Sequence, residues 1–257
     1  MTIDSKSFQN LSLSPELLTV LEELEFKQMT PIQEQALPVV LSGKDLIGES
    51  PTGSGKTLAF SLPILQKIKI SSRFVQAIVL CPTRELADQV VRDLRKWGRR
   101  LNGFQVAQLT GGQPMRAQRE SLEQGAHVIV ATPGRLLDLL DRGYAQVKQV
   151  EIVVLDEADK MLEMGFEEQI KFIMDDVPRD RQTMLFSATF PDSIQKLSKR
   201  YQKNPQHIQI AASEESKPDI EQIMYSCKNE DKINILMRVL QQHPSDSTVI
   251  FCNEKVK

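Results

Sequence analysis

The chain is poor in cysteine, in aromatic side chains and in net charge. Three cysteines, Cys81, Cys227 and Cys252, lie far apart among 257 residues, and none forms a C-x-x-C pair. That excludes a disulfide framework and a cysteine-built zinc site, and points to a reducing compartment. Aromatics make up 5% of the residues, so the core must be aliphatic. A net charge of −2 argues neither for nor against a nucleic-acid partner; any basic surface must be local. No apolar run approaches the roughly 20 residues of a membrane span. The polar stretch Met1 to Ser7 lacks the apolar core of a signal peptide. These absences give the expectation of a cytoplasmic protein without membrane contact; a monomer is expected as well. The length allows one large domain, or one domain plus part of another.

What is present centres on Glu49 to Leu58, which reads E-S-P-T-G-S-G-K-T-L. The run Asp45 to Gly48 before it reads as a buried strand, and Leu58 to Leu62 after it as a helix start. A strand, a Gly-rich turn and Lys-Thr opening a helix make a phosphate-binding loop. The cradle comprises Ser50, Thr52, Gly53, Ser54, Gly55, Lys56 and Thr57. Its glycines let backbone N–H groups turn toward a polyphosphate. Lys56 reaches the outer phosphates, and the Thr57 hydroxyl sits on Mg²⁺. The following helix points its positive end at the same anion. Ser50 stands where the strict pattern has Gly; because backbone amides do the cradling, the substitution is expected to be tolerated.

Around the loop, apolar strands alternate with amphipathic helices. Leu13, Leu17, Leu18, Leu21 and Leu24 have helical spacing, with Ser14-Pro15 at the start; Thr30-Pro31 opens a second helix that runs to Gly43. Strands are expected at 77–81, 105–110, 127–131, 151–155, 183–186 and 206–210. Helices open at Pro82 to Ala87 and at Thr132 to Arg135. The pattern predicts an α/β fold with a mostly parallel sheet covered by helices on both faces. Ligands of such sheets bind beyond the carboxyl ends of the strands. One rim should therefore carry the phosphate loop, Thr83-Arg84, Gly111-Gly112, Thr132 to Arg135, Asp156 to Asp159 and Ser187 to Thr189. Residues 1–210 form this domain and 211–221 read as a polar linker. Strands at 223–227 and 248–252 around a helix at 231–242 read as the truncated beginning of a second α/β domain over 222–257.

Asp156-Glu157, after the apolar run Ile152 to Leu155, supplies the acids that the loop requires. Nucleotide hydrolysis needs one acid to hold Mg²⁺ and a second group to orient the attacking water. Asp156 suits the first role and Glu157 the second, with Lys56 neutralising phosphate charge.

Asp156-Glu-Ala-Asp159 spells the DEAD box, and the motifs around it resemble those of DEAD-box RNA helicases in their expected order. Phe26 to Gln33 resembles the Q motif that reads adenine. Ser50 to Thr57 resembles motif I, Pro82 to Ala87 motif Ia and Gly111-Gly112 the GG motif. Thr132 to Arg135 resembles motif Ib, Ser187 to Thr189 motif III, and Val249 to Asn253 the start of motif IV. Leu80 to Val90 and Gly111 to Pro114 are similar to the bacterial DbpA-like branch. The resemblance implies a RecA-like domain 1, and ATP and Mg²⁺ as cofactors. It implies single-stranded RNA held by Thr83, Arg84, Gly111, Gly112, Thr132, Gly134 and Arg135. It makes Asp159, Ser187 and Thr189 couple nucleotide state to RNA. It also points to duplex unwinding in ribosome assembly or RNA metabolism.

Side-chain chemistry agrees with several of these assignments. The Gln33 amide both donates and accepts, which matches adenine and rejects guanine. Phe26 offers a stacking surface, or else a hydrophobic staple onto the following helix. Arg84 and Arg135 fall in first turns of helices, where a cation is disfavoured unless an anion is bound. Arg92, Arg95, Lys96, Arg99 and Arg100 read as a solvated face; His127, Met161, Met164 and Phe166 as packing. Two other readings stay open: a nucleotide-gated RNA-binding scaffold without a catalytic role, and a phosphate-loop motor on DNA. Without the later motifs of a second domain, these residues are expected to bind nucleotide yet be nearly inactive alone.

Overall fold

The computed structural model describes residues 6–211 and 221–252. Seven strands form one sheet in the order β3-β4-β2-β5-β6-β1-β7. They are β1 (Leu46–Glu49), β2 (Ala77–Leu80), β3 (Val106–Leu109), β4 (Val128–Ala131), β5 (Ile152–Leu155), β6 (Gln182–Ser187) and β7 (Gln206–Gln209). Every pairing is parallel.

Strand residues alternate between two apolar layers, which explains the unbroken apolar runs. Ala77 and Val79 of β2 face one layer while Ile78 and Leu80 face the other. Helices α1 (Pro15–Glu23), α2 (Pro31–Leu41), α3 (Lys56–Lys67) and α4 (Arg84–Trp97) cover the first side. On the second lie α5 (Met115–Glu123), α6 (Pro133–Asp141), α7 (Ala158–Glu163), α8 (Glu167–Asp176) and α9 (Asp192–Tyr201). The expected caps form where the sequence places them. Ser14 Oγ accepts from the Leu17 amide and Thr83 Oγ1 from the Leu86 amide.

The register aligns the strand ends. Leu109 pairs with Ala131, Ala131 with Leu80, Leu80 with Leu155, and Glu49 with Ser187. The six turns singled out from the sequence therefore leave one edge of the sheet. Strand order divides them in a way that chain order hides. The turns after β3, β4 and β2 stand together, as do those after β5, β6 and β1.

The chain divides into two compact units, Met1–Ser213 and Glu214–Lys257. In the second, helix α10 (Lys232–Gln242) forms where helical spacing places it. The strands expected at 223–227 and 248–252 are not strands in the described residues. Met224 and Phe251 are more than 90% exposed, and an extended segment without a paired neighbour leaves its backbone to water. The residues read as a linker lie mostly outside the described ones, as does Asn253.

Candidate active site

A cleft of about 360 Å³ lies against the phosphate loop. Thr52, Gly53, Gly55, Lys56 and Thr57 line it from the loop, Phe26 and Gln33 from the segment around α2, and Asp156 and Glu157 from the end of β5. Gly55 caps α3 at φ 97°, a left-handed conformation that favours glycine. A Cβ there would lie 2.4 Å from Gln33 Nε2. Ser50 is fully buried. Its Oγ lies 2.9 Å from Ser54 Oγ, and its amide donates to Ser187 O at 3.0 Å. The departure from Gly thus ties the loop both to itself and to β6.

Lys56 Nζ donates to Ser50 O at 2.6 Å and to Pro51 O at 3.2 Å. Burial lowers its pKa, while Asp156, Glu157 and Asp159 oppose that shift. The ammonium is held at the loop by two carbonyls and is aligned with no carboxylate.

Asp156 is buried. Burial lifts its carboxyl from 3.8 to about 7; Lys56 opposes the lift and Glu157 adds to it. A hard carboxylate and the Thr57 hydroxyl in one cleft beside the Gly-rich loop fit Mg²⁺, which takes one or two carboxylates plus substrate phosphate. Glu157 adopts φ 52°, ψ 51°, uncommon for a residue with a side chain. This left-handed step turns the chain from β5 into α7. Glu157 Oε2 accepts from Lys160 Nζ at 2.9 Å.

Asp159 links the turn after β5 to the turn after β6. Its Oδ2 accepts from the Ala188 amide at 3.1 Å, the Thr189 amide at 3.0 Å and Thr189 Oγ1 at 3.0 Å. Burial pushes the carboxyl up. Hydrogen bonds from Thr189, from the Lys160 amide and from the Ser187 side overcome that, and the net shift is down. Ser187 Oγ contributes to that field, although it meets no partner of good hydrogen-bond geometry.

Gln33 does more than face the cleft. Its Oε1 accepts from the Thr30 amide at 3.0 Å, and its Nε2 donates to Gly55 O at 3.0 Å. One lone pair and one N–H remain for a base, and the side chain fastens α2 to the phosphate loop. Phe26 lines the cleft with Gln33 and packs against the first apolar layer. It meets Phe8 and Trp97 edge-on, each with centroids 6.4 Å apart.

A second groove, about 580 Å³, lies on the same rim. Thr83, Arg84, Gly111, Thr132, Gly134 and Arg135 all line it. Arg84 lies flat on the glycine pair. Gly112 has φ 75°, and a Cβ on it would come 1.9 Å from Arg84 Nη1. Arg135 Nη1 donates to Gln113 O at 3.1 Å. Two arginines from two helices thus clasp one turn, and the glycines make room for the first.

Several residues differ from what their local sequence suggests. Met164 is 53% exposed and, with Phe166, lines this second groove, so it is not a packing residue. The basic face of α4 is only partly solvated. Arg99 and Arg100 fall past the end of α4, where both bond Glu23 of α1, and Arg95 Nη2 donates to Val106 O at 3.2 Å. His127 is structural, as its sequence context implied, with Nδ1 accepting from the Gln105 amide at 3.0 Å. The sequence reading also missed the α4 wall of the first cleft, Leu86, Gln89, Asp93 and Trp97. Their spacing marks one side of a helix; only the fold shows what that side meets.

A family model described as DEAD/DEAH box helicase matches residues 30–197. The chain is 48% identical to the ATP-dependent RNA helicase DbpA of Escherichia coli over 95% of its own length and 53% of that protein's. It is 42% identical to the DEAD-box ATP-dependent RNA helicase CshA of Streptococcus pneumoniae, over 96% of this chain and 47% of that one. The chain thus spans about half the length of the curated relatives it matches. A DEAD box protein from Methanococcus jannaschii superimposes with TM-score 0.77 at 32% identity, covering 92% of this chain and 63% of that one. A hypothetical ATP-dependent RNA helicase from Sulfolobus tokodaii gives TM-score 0.71 at 39% identity, over 77% and 57%. With its parallel sheet, its phosphate loop and its Asp-Glu-Ala-Asp turn on one rim, this chain belongs to the DEAD/DEAH box helicase family.

Proposed function

We propose that the chain forms the nucleotide-binding half of an ATP-dependent RNA helicase. The observation that carries this reading is the adjacency of the two sites. The cleft with Gln33, Lys56, Thr57, Asp156 and Glu157 and the groove with Arg84 and Arg135 meet at β5 and β2, which are paired neighbours. Asp159 then ties the hydrolytic turn to Ser187–Thr189.

In this reading Gln33 and Phe26 bind adenine, and the loop amides with Lys56 bind the phosphates. Lys56 leaves the carbonyls of Ser50 and Pro51 to do so. Thr57 and Asp156 would hold Mg²⁺, which when bound supplies positive charge against the β- and γ-phosphate oxygens. Glu157 leaves Lys160 to orient the attacking water. Arg84, Arg135 and helix N-termini bind a sugar–phosphate backbone, which positions a strand without reading its bases. RNA over DNA is the proposed preference, resting on a 2′-OH contact in this groove. Residues 222–257 begin a second RecA-like domain joined through 211–221. A monomer acting in the cytoplasm on ribosome assembly is the proposed setting, on the DbpA-like sequences at Leu80 to Val90 and Gly111 to Pro114.

An arginine supplied to the transferring phosphoryl group is worth about 10³–10⁵ in rate. The chain by itself should therefore bind ATP in a titration with Mg²⁺ and lose that binding in Lys56→Ala. It should show almost no RNA-stimulated phosphate release. Robust RNA-dependent turnover by these residues alone would sink the half-site reading.

A further inference from the structure

One wall of the nucleotide cleft runs along a helix well past motif Ia, to which only Leu86 belongs. Helix α4 contributes Leu86, Gln89, Asp93 and Trp97 to it. These positions recur at three and four residues, so they form a single stripe. At about 1.5 Å per residue the stripe runs roughly 16 Å along the helix. It starts beside the turn after β2, the sheet neighbour of the Asp156 turn, and ends at Trp97, against which Phe26 packs.

Asp93 is the unusual member. It is half-buried, and among the described residues no side chain hydrogen-bonds or ion-pairs with it. Arg92, its neighbour, is committed to Asp88. Burial raises the Asp93 carboxyl, with Lys96 and Arg92 opposing. A partly desolvated carboxylate left without a donor is costly unless a ligand supplies one. It stands toward the Trp97 end of the stripe, the end that Phe26 meets edge-on.

We infer that Asp93 is a specificity-determining residue of the nucleotide site, accepting a hydrogen bond from the nucleoside, with Gln89 beside it as a secondary polar contact. An acceptor-only group selects for a donor. At that end of the nucleotide the donors are the ribose hydroxyls and the exocyclic amine of adenine. Phosphate binding by the loop fixes affinity for any nucleotide; Asp93 adds preference among nucleosides. The inference rests on the nucleotide-site reading above.

The test is calorimetric titration of the 257-residue chain with three ligands in Mg²⁺: ATP, 2′,3′-dideoxy-ATP and purine riboside triphosphate, which lacks the amine. The unaltered chain should bind ATP about tenfold tighter than one of the two analogues, the scale of a lost hydrogen bond to a charged group. That analogue identifies the donor. In Asp93→Ala the ATP affinity should fall by about tenfold, and the preference over that analogue should vanish. Asp93→Ala that binds all three ligands like the unaltered chain overturns the inference. So does a variant that weakens all three equally, which would mean a structural role; urea unfolding of the same variant checks that its fold is intact. If the unaltered chain binds no ATP, the nucleotide-site reading itself fails and takes the inference with it. If ATP binds and Lys56→Ala abolishes binding while Asp93→Ala is silent, only the inference fails.

Discussion

Replacing Asp156 with Asn should make the nucleotide-free protein more stable, and by an amount that depends on pH in a definite direction. The carboxyl is buried and, among the described residues, no salt bridge reaches it; burial outweighs the opposing Lys56 charge and lifts its pKa from 3.8 to about 7. The folded state therefore holds a proton on Asp156 that the unfolded chain releases between these two values. Protonation stabilises the fold fully below the unfolded value, and that contribution is lost as pH rises through the folded one. A shift of about three units at about 1.4 kcal/mol each amounts to about 4 kcal/mol. Asn mimics the neutral acid and escapes the penalty. Asp156→Asn should exceed the parent by about 4 kcal/mol at about pH 8, by about 2 kcal/mol at about pH 5, and by little below the unfolded value. The assay is urea unfolding in a metal chelator, followed by the emission of Trp97, the only tryptophan in the chain. The same substitution should abolish Mg²⁺-dependent nucleotide binding. A variant no more stable than the parent at about pH 8, or an advantage that does not change with pH, refutes the reasoning. Either would mean that the carboxylate is compensated in the fold.

Asp159 should behave with the opposite sign. Its carboxyl is held down, so its contribution is present above the unfolded value and is lost as pH falls through the folded one. Asp159→Ala leaves the Ala188 and Thr189 amides without an acceptor and should cost about 2–4 kcal/mol at neutral pH, with the urea midpoints of parent and variant converging in acid. Gly55→Ala forces a Cβ against Gln33 at a left-handed backbone and should cost about 1–3 kcal/mol while weakening ATP binding; adding Gln33→Ala should recover part of the stability. Ser50→Ala removes the bond to Ser54, costing about 1 kcal/mol in urea unfolding, yet should change ATP affinity by less than about twofold because backbone amides do the cradling. Gly112→Ala displaces Arg84 and should weaken binding of a single-stranded RNA oligonucleotide by about tenfold or more, with ATP affinity unchanged by calorimetry.

Much of the candidate site was legible because its chemistry is local. A phosphate loop is a contiguous strand–turn–helix, and Gly53, Gly55, Lys56 and Thr57 announce it by spacing alone. The acidic pair was legible because it follows a strand whose apolar run is unmistakable. The parallel sheet followed from strands apolar on both sides, and the common rim followed from that. The errors arose where a residue's role depends on what lies opposite it. Met164 looked like core because it is apolar and close to other apolar residues in sequence, yet the short helix α7 turns it outward into the groove. The strands expected near the end of the chain have strand composition, but a strand is a paired object and none pairs among the described residues.

The sequence by itself marked the candidate phosphate and metal residues, where most helices start, and the strand ends from which the candidate site leaves the sheet. These are properties of short segments, set by backbone geometry and side-chain inventory. Tertiary structure alone decided the neighbours. Strand order set the Arg84, Gly111-Gly112 and Arg135 turns side by side and placed β5 between them and the phosphate loop. Long-range hydrogen bonds joined Gln33 to Gly55 and Asp159 to Thr189. Burial, which no local pattern measures, lifted the Asp156 carboxyl and raised that of Asp93 on the wall of the cleft. Desolvation depends on everything that surrounds a group, so it exists only once the chain has folded.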